Sequence, residues 1–103
     1  MRSKFGLLES DLTTIIDVLK RFNEVEYAFI FGSRAKGNYR NGSDVDIALK
    51  GEKLDFNILS RINSWLNEET ALPYTFDVLN YHTLSEPDLI EHIDRVGIQF
   101  YSK

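Results

Sequence analysis

Cysteine is absent from this chain, so disulfide bonds, thiolate nucleophiles and zinc sites built on thiolates are excluded. Long apolar runs are absent as well, because no stretch reaches the roughly 18 consecutive apolar residues of a membrane-spanning helix. The first residues, MRSKFGLLESD, contain no apolar segment typical of a signal peptide. We therefore expect a cytoplasmic protein without a membrane segment.

An excess of positive charge is also missing. The 12 Lys and Arg residues are outnumbered by 16 Asp and Glu residues, which gives a net charge of −4. A protein that binds nucleic acid by itself normally carries a basic face, so this balance argues against a nucleic-acid partner. Arg34, Lys36 and Arg40 could still form a small basic pocket.

The remaining composition is that of an ordinary globular protein. With 43% hydrophobic and 27% charged residues, a chain of 103 residues can form one domain with one modest core. We therefore expect a single domain over residues 1–103.

Helical and strand patterns alternate along the chain, which predicts an α/β fold. Residues 1–9 carry weak signals and are expected to be partly loose, and Ser10 is expected to cap the first helix. The expected helices cover about 10–22, 55–69 and 85–96, and the expected strands cover 27–31, 44–49, 74–80 and 98–101, the last being either a strand or an extended tail. With a helical turn after Ser33, this predicts a mixed sheet of three to four strands with about four helices.

The lengths of the connections predict how the strands pair. Residues 33–43 are too few for a parallel crossover, so the first two main strands should be antiparallel, with a chain reversal at Asn41–Gly42. Residues 51–73 are long enough for a parallel crossover to the third strand. A parallel third strand would bring Asp77 to the same edge of the sheet as Asp44 and Asp46.

The alternation in Asp44-Val45-Asp46-Ile47 places both carboxylates on one face of a strand. Two adjacent acids repel each other unless a cation lies between them, and Mg²⁺ prefers carboxylate and phosphate oxygens. Gly32-Ser33, just upstream, offers main-chain N–H groups and a hydroxyl to a phosphate. Each signal also has a simpler interpretation, namely a solvated strand edge for the acids and an ordinary turn for Gly-Ser.

Taken together, Gly32-Ser33, a ten-residue spacer and Asp44-x-Asp46 resemble the signature of the DNA polymerase β-type nucleotidyltransferase superfamily. That superfamily adds a third acid on a later strand, and Asp77 fits this place. The small size of the chain resembles the minimal nucleotidyltransferases more narrowly, the MNT antitoxins encoded beside HEPN toxins.

The resemblance implies a function and a set of roles. Nucleotidyl transfer would use two Mg²⁺ ions held by the three acids, with ATP or another NTP as substrate. The nucleotide phosphates would be bound by Gly32 and Ser33, with Arg34 and Lys36 as further contacts. The acceptor would be a hydroxyl of a cognate HEPN toxin.

Two other functions stay open at this point. The chain could be a catalytically silent antitoxin that neutralises its partner by contact alone. It could also modify a small molecule, as the antibiotic nucleotidyltransferases do, although those carry a further domain for the acceptor. Whether the protein forms homo- or hetero-oligomers is left open as well.

Overall fold

The structure is a computed structural model that describes residues 3–40 and 42–103. Its strands are β1 (Ser3–Lys4), β2 (Leu7–Leu8), β3 (Tyr27–Phe31), β4 (Val45–Lys50), β5 (Phe76–Asn80) and β6 (Ile98–Ser102). Its helices are α1 (Glu9–Lys20), α2 (Ser33–Lys36), α3 (Phe56–Ser64) and α4 (Pro87–Val96). A π-helical segment, Trp65–Glu69, continues α3, and a 3-10 turn, Tyr81–Thr83, follows β5.

A four-stranded sheet in the order β5-β4-β3-β6 forms the centre of the fold. β3 is antiparallel to both β4 and β6, whereas β4 and β5 are parallel. The expected mixed sheet is therefore confirmed with four strands. The short connection after β3 does produce an antiparallel pair, and the long one after β4 a parallel pair.

The two faces of the sheet are covered unequally. One face packs against α1 and α3 around a fully buried core that includes Ile15, Leu19, Ile47 and Ile62. On the other face, α4 packs through Ile93 against a smaller cluster that includes Phe31 and Ala48. Because Ala48 and Asp46 are two positions apart on β4, the acid lies on this second face, next to the part that α4 covers.

The amino-terminal segment differs from expectation. Residues 3–8 are not loose, because β1 and β2 pair as a hairpin and Leu7 is fully buried in the core; residues 1 and 2 lie outside the described residues. The expectation that Ser10 caps α1 is wrong, since the helix already begins at Glu9. The carboxylate of Asp11 accepts a hydrogen bond from the N–H of Leu8 at 3.3 Å.

Smaller differences concern other element ends. β5 begins at Phe76, two residues later than expected, because Val45, its first partner, is where β4 begins. The last helix, expected from residue 85, begins at Pro87, and its N-cap position is Glu86. The expected reversal at Asn41–Gly42 lies partly outside the described residues, since Asn41 is not among them.

Two expected helix boundaries are confirmed. Asp55 caps α3, since its carboxylate accepts a hydrogen bond from the N–H of Ile58 at 2.9 Å. Gly97 ends α4, and the chain then enters β6. In the part of the chain that the structure describes, no helix is long and apolar enough to cross a membrane.

Candidate active site

Gly32 lies directly against the carboxylate of Asp46. Its backbone has φ 74° and ψ −154°, a conformation that is essentially restricted to glycine. A Cβ atom added there would collide with the Oδ2 atom of Asp46. This contact arises because Phe31, the residue before Gly32, pairs with Asp46 across the antiparallel strands. The turn therefore needs glycine both for its dihedral angles and for the approach of the acid.

Ser33 begins the single helical turn α2, as the sequence predicts. The turn closes when Lys36 donates its N–H to the carbonyl oxygen of Gly32 at 3.1 Å and Gly37 donates to that of Ser33 at 2.9 Å. Gly37, at φ 86°, ends it in the left-handed region. Ser33 is partly exposed, so its hydroxyl remains at the surface beside the Gly32–Asp46 contact.

The three acids meet at one end of the sheet. Asp44 immediately precedes β4 and is exposed, Asp46 is partly buried, and Asp77 is exposed on β5. Asp46 and Asp77 are register partners in the parallel pair, so their side chains lie on the same face of strands about 4.8 Å apart. The structure thus brings all three predicted acids together beside the glycine turn.

Mutual repulsion among these acids is reflected in the titration of Asp46. Its pKa is raised from 3.8 to about 6, first because burial disfavours the charged form and then because Asp77 and Asp44 repel it. Arg34 acts in the opposite direction and lowers the pKa of Asp46. A site of this kind favours the binding of a cation.

The donor set suits Mg²⁺ bound together with a nucleotide. Within residues 3–40 and 42–103, no group of three or more Asp, Glu, His or Cys side chains is arranged to hold a metal ion by itself. Mg²⁺, however, usually keeps several waters and binds through one or two carboxylates plus substrate phosphates. The carboxylates of Asp44, Asp46 and Asp77, at one end of the sheet, fit that role.

Arg34 is buried, although its place just after Gly32-Ser33 predicted a contact with the nucleotide phosphates. Only 3% of its surface is exposed, and its guanidinium donates to the carbonyl oxygen of Ser43 (3.2 Å from Nε and 2.7 Å from Nη2) and to that of Phe5 (2.9 Å from Nη1). The rings of Tyr39 and Tyr74 lie on it, with centroids 5.4 and 5.2 Å away. Arg34 therefore ties the amino-terminal hairpin to the residue before Asp44.

Lys36 contrasts with Arg34 because it is exposed. It lies in the last position of α2, one turn after Gly32. Of the two predicted cationic contacts, Lys36 is the one whose charge is open to a ligand.

Sequence reasoning missed the partners of β5. The side-chain amides of Asn63 and Asn67 hydrogen-bond to the main chain of Phe76 and Val78, the two neighbours of Asp77. Two asparagines four residues apart on a helix were the available signal, but such residues usually lie on a solvated face.

His92 of α4 is partly buried. Its imidazole packs edge-to-face on Phe31, with ring centroids 6.2 Å apart. It therefore lies on the same face of the sheet as Asp46. His82 lies in the 3-10 turn after β5 and is exposed.

Comparison with known proteins identifies the family. The family model described as "Polymerase beta, Nucleotidyltransferase" matches residues 13–103. This chain belongs to the polymerase β nucleotidyltransferase family. Its enzyme class, predicted from the Gly-Ser and Asp-x-Asp spacing, is thereby confirmed.

A curated relative supports a narrower assignment. The chain is 29% identical over 102 residues to the "Probable protein adenylyltransferase MntA" of Haemophilus influenzae. The aligned region covers 98% of this chain and 88% of the relative. The resemblance to the minimal nucleotidyltransferases is thus confirmed.

Solved structures agree on the fold. A toxin–antitoxin pair with AMP-PNP superposes with a TM-score of 0.74 at 23% identity, covering 89% of this chain and 73% of the other. A chain from the tri-AMPylated Shewanella oneidensis HEPN toxin in complex with an MNT antitoxin gives 0.70 at 21% identity, covering 92% and 72%. A chain described as a minimal nucleotidyltransferase gives 0.65 at 23%, covering 94% and 96%. These likenesses confirm the minimal nucleotidyltransferase fold.

Proposed function

We propose that this protein is the antitoxin of a HEPN toxin and silences it by transferring AMP, or another NMP, from an NTP to a hydroxyl of the toxin. The observation that carries the proposal is the contact of the Gly32 turn with Asp46, with Asp44 and Asp77 at the same end of the sheet. Two named proteins support the choice of acceptor: the relative called a protein adenylyltransferase, and the HEPN toxin described as tri-AMPylated in complex with an MNT antitoxin.

The substrate phosphates would lie along the glycine turn. Because Gly32 has no side chain, its main chain would approach the β- and γ-phosphates next to the carboxylates, and Ser33 would offer its hydroxyl. Lys36, exposed at the end of the same turn, would contact the triphosphate. Arg34 would act by fixing the loop before Asp44, since its donors are already engaged with main-chain carbonyls.

The acids would hold Mg²⁺ and handle the proton. Asp44 and Asp46 would bind the ions together with the phosphates, and Asp77 would complete the second ion's ligands. Bound Mg²⁺ would neutralise the charge that develops on the α-phosphate and on the leaving pyrophosphate.

The transfer itself is a substitution at phosphorus. The acceptor oxygen forms a bond to the α-phosphorus, and the bond from that phosphorus to the bridging oxygen of pyrophosphate breaks. The hydroxyl proton passes to the carboxylate of Asp77, and pyrophosphate leaves.

The acceptor would be supplied by another molecule. Residues 3–40 and 42–103 form the hairpin, the sheet, its helices and short connections, and we infer that residues 1–103 are one nucleotidyltransferase domain. Since positioning supplies much of the rate, a docked toxin has to present its hydroxyl in line with the α-phosphate. We expect this reaction to take place in the cytoplasm, where NTPs are available.

Intact-mass measurement tests the proposal. The toxin of the neighbouring reading frame is incubated with NTP, Mg²⁺ and either wild type or the Asp44→Asn/Asp46→Asn double variant. We expect one or more NMP additions on the toxin, and loss of its activity, only with wild type. If the double variant neutralises the toxin equally well without a mass change, contact alone is sufficient and the catalytic proposal is wrong.

A further inference from the structure

The outer edge of β5 is paired with side chains instead of another strand. Asn67 donates from Nδ2 to the carbonyl oxygen of Phe76 at 3.0 Å and accepts the N–H of Phe76 at 2.8 Å. Asn63 does the same with Val78, at 3.1 and 3.3 Å. Each amide therefore takes the place that a neighbouring strand residue would have.

The spacing of the two asparagines along the helix matches the spacing of their partners along β5. Asn63 and Asn67 are four residues apart on a helix, a rise of about 6 Å. Phe76 and Val78 are two residues apart on a strand, a rise of about 6.6 Å. The helix and strand run in opposite directions, so two amides reach two consecutive outward-facing peptide groups.

The orientation of each amide is fixed from both sides. Besides its bonds to β5, Asn63 donates to the carbonyl oxygen of Leu59 at 3.4 Å, and Asn67 donates to that of Asn63 at 3.0 Å. An asparagine has the two donors and the acceptor that this arrangement requires, whereas an ionised aspartate has no donor. Asn67 belongs to the π-helical segment that continues α3.

Asp77 lies between Phe76 and Val78, the two residues whose main-chain groups bond to the asparagine amides. Thr75, two residues before it, accepts the N–H of Val45 at 2.9 Å, so alternate residues of β5 face β4 while Phe76 and Val78 face outward. β5 is thus bonded on both sides immediately around Asp77. This fixes the position of its carboxylate relative to Asp46, its register partner.

We propose that Asn63 and Asn67 are positioning residues that hold Asp77 in register with Asp46 for nucleotidyl transfer. The inference rests on the proposed function for the role of Asp77. Neither asparagine touches the reacting atoms in this arrangement, so both act through β5. The same bonds also close the edge of the sheet, and the test must separate positioning from general stability.

The test compares the Asn63→Ala/Asn67→Ala double variant with two controls. Asn57→Ala removes an exposed asparagine from the same helix, and Val18→Ala weakens the hydrophobic core from α1 without touching the amide bonds to β5. We expect amide hydrogen exchange at Phe76 and Val78 to become roughly tenfold faster in the double variant only.

Kinetics and metal affinity then decide whether the amide bonds of Asn63 and Asn67 to β5 affect the reaction. We expect the double variant to lower kcat by about tenfold or more and to change KM for the NTP much less, because Asp77 keeps its charge and is displaced instead of removed. Mn²⁺, used as the probe for the acid cluster, should bind more weakly to the double variant than to Asn57→Ala and Val18→Ala.

Two results would overturn the inference: faster exchange with unchanged kcat and Mn²⁺ affinity, or an equal loss of kcat in Val18→Ala, which would show general destabilisation. If wild type itself transfers no nucleotide, the proposed function fails instead. The Mn²⁺ titration then decides alone, and an unchanged affinity in the double variant would overturn the positioning role.

Discussion

Gly32 and Ser33 directly follow β3, and Asp44 and Asp46 lie at the start of β4, whereas Asp77 is supplied by a strand that follows a long helical crossover. The first group is held by local structure: the ends of β3 and β4 face each other, and Arg34 fixes the loop between them. Asp77 depends on the parallel pairing of β5 and on amides from α3. One half of the site is therefore encoded in a short motif, and the other half in packing.

The largest effects should come from the acids themselves, one from each half. We expect Asp46→Asn and Asp77→Asn each to lower kcat for NMP transfer by about a thousandfold, because both remove charge needed at the transferring phosphate. Asp17→Asn, an exposed acid on α1, should leave the rate unchanged. Steady-state kinetics checks this, and full activity in Asp77→Asn would mean that the motif half is sufficient alone.

A pair of glycines separates the contact with Asp46 from backbone strain. Gly32 and Gly37 both have positive φ, but an added Cβ meets Asp46 at Gly32 and no described atom within 4 Å at Gly37. We expect Gly32→Ala to lower transfer by about a hundredfold and Gly37→Ala to cost only about 1 kcal/mol of stability. Kinetics and chemical denaturation measure both, and equal losses of activity would show that strain alone matters.

We expect Arg34 to contribute to the stability of the fold and Lys36 to the binding of the NTP. Arg34→Leu leaves the carbonyl groups of Phe5 and Ser43 without their donor, so we expect a loss of about 2 kcal/mol in the free energy of unfolding. Lys36→Ala should leave stability unchanged and raise the Kd for the NTP about fivefold. Calorimetry and urea denaturation check this, and the reverse division would place Arg34 on the phosphates.

The smallest effect concerns the pH dependence of stability without metal. Since burial and the neighbouring acids raise the pKa of Asp46 from 3.8 to about 6, the folded protein binds this proton more tightly than the unfolded chain. The resulting stabilisation is fully present below about pH 4 and is lost as the pH rises through 6. We expect metal-free Asp46→Asn to melt roughly 5 °C above wild type at pH 8.

The difference in melting temperature between Asp46→Asn and wild type should shrink as the pH falls toward 4, because Asp46 then becomes neutral in wild type as well. The other carboxylates titrate equally in both proteins, so their contributions cancel. Thermal melts across this range measure it. A constant difference at all pH values would show that the pKa of Asp46 is not raised.

Much of the fold follows from local pattern. The antiparallel pair is predicted by the ten residues between Ser33 and Asp44, and the parallel one by the length of the crossover. The face shared by the acids follows from the period of two along β4. The catalytic and binding roles of these residues stay predictions, while their placement at one end of the sheet agrees with the structure.

The missed features depend on contacts between distant segments. Arg34 is buried because the hairpin at residues 3–8 covers it, and that hairpin carried only weak local signals. Asn63 and Asn67 look like surface residues of a helix until β5 is placed beside them. The π-helical segment has no sequence pattern that would distinguish it from the helix it continues.

The most direct test of the account is whether the two halves form one Mg²⁺–nucleotide site. We expect wild type to gain about 2.7 kcal/mol of stability when Mg²⁺ and a non-hydrolysable ATP analogue are present at about 100 times the Kd. Thermal melts should show this gain largely lost in Asp46→Asn and in Asp77→Asn, with Asp17→Asn unchanged. An equal gain in Asp77→Asn would contradict the account, as would the absence of any gain in wild type at millimolar ligand.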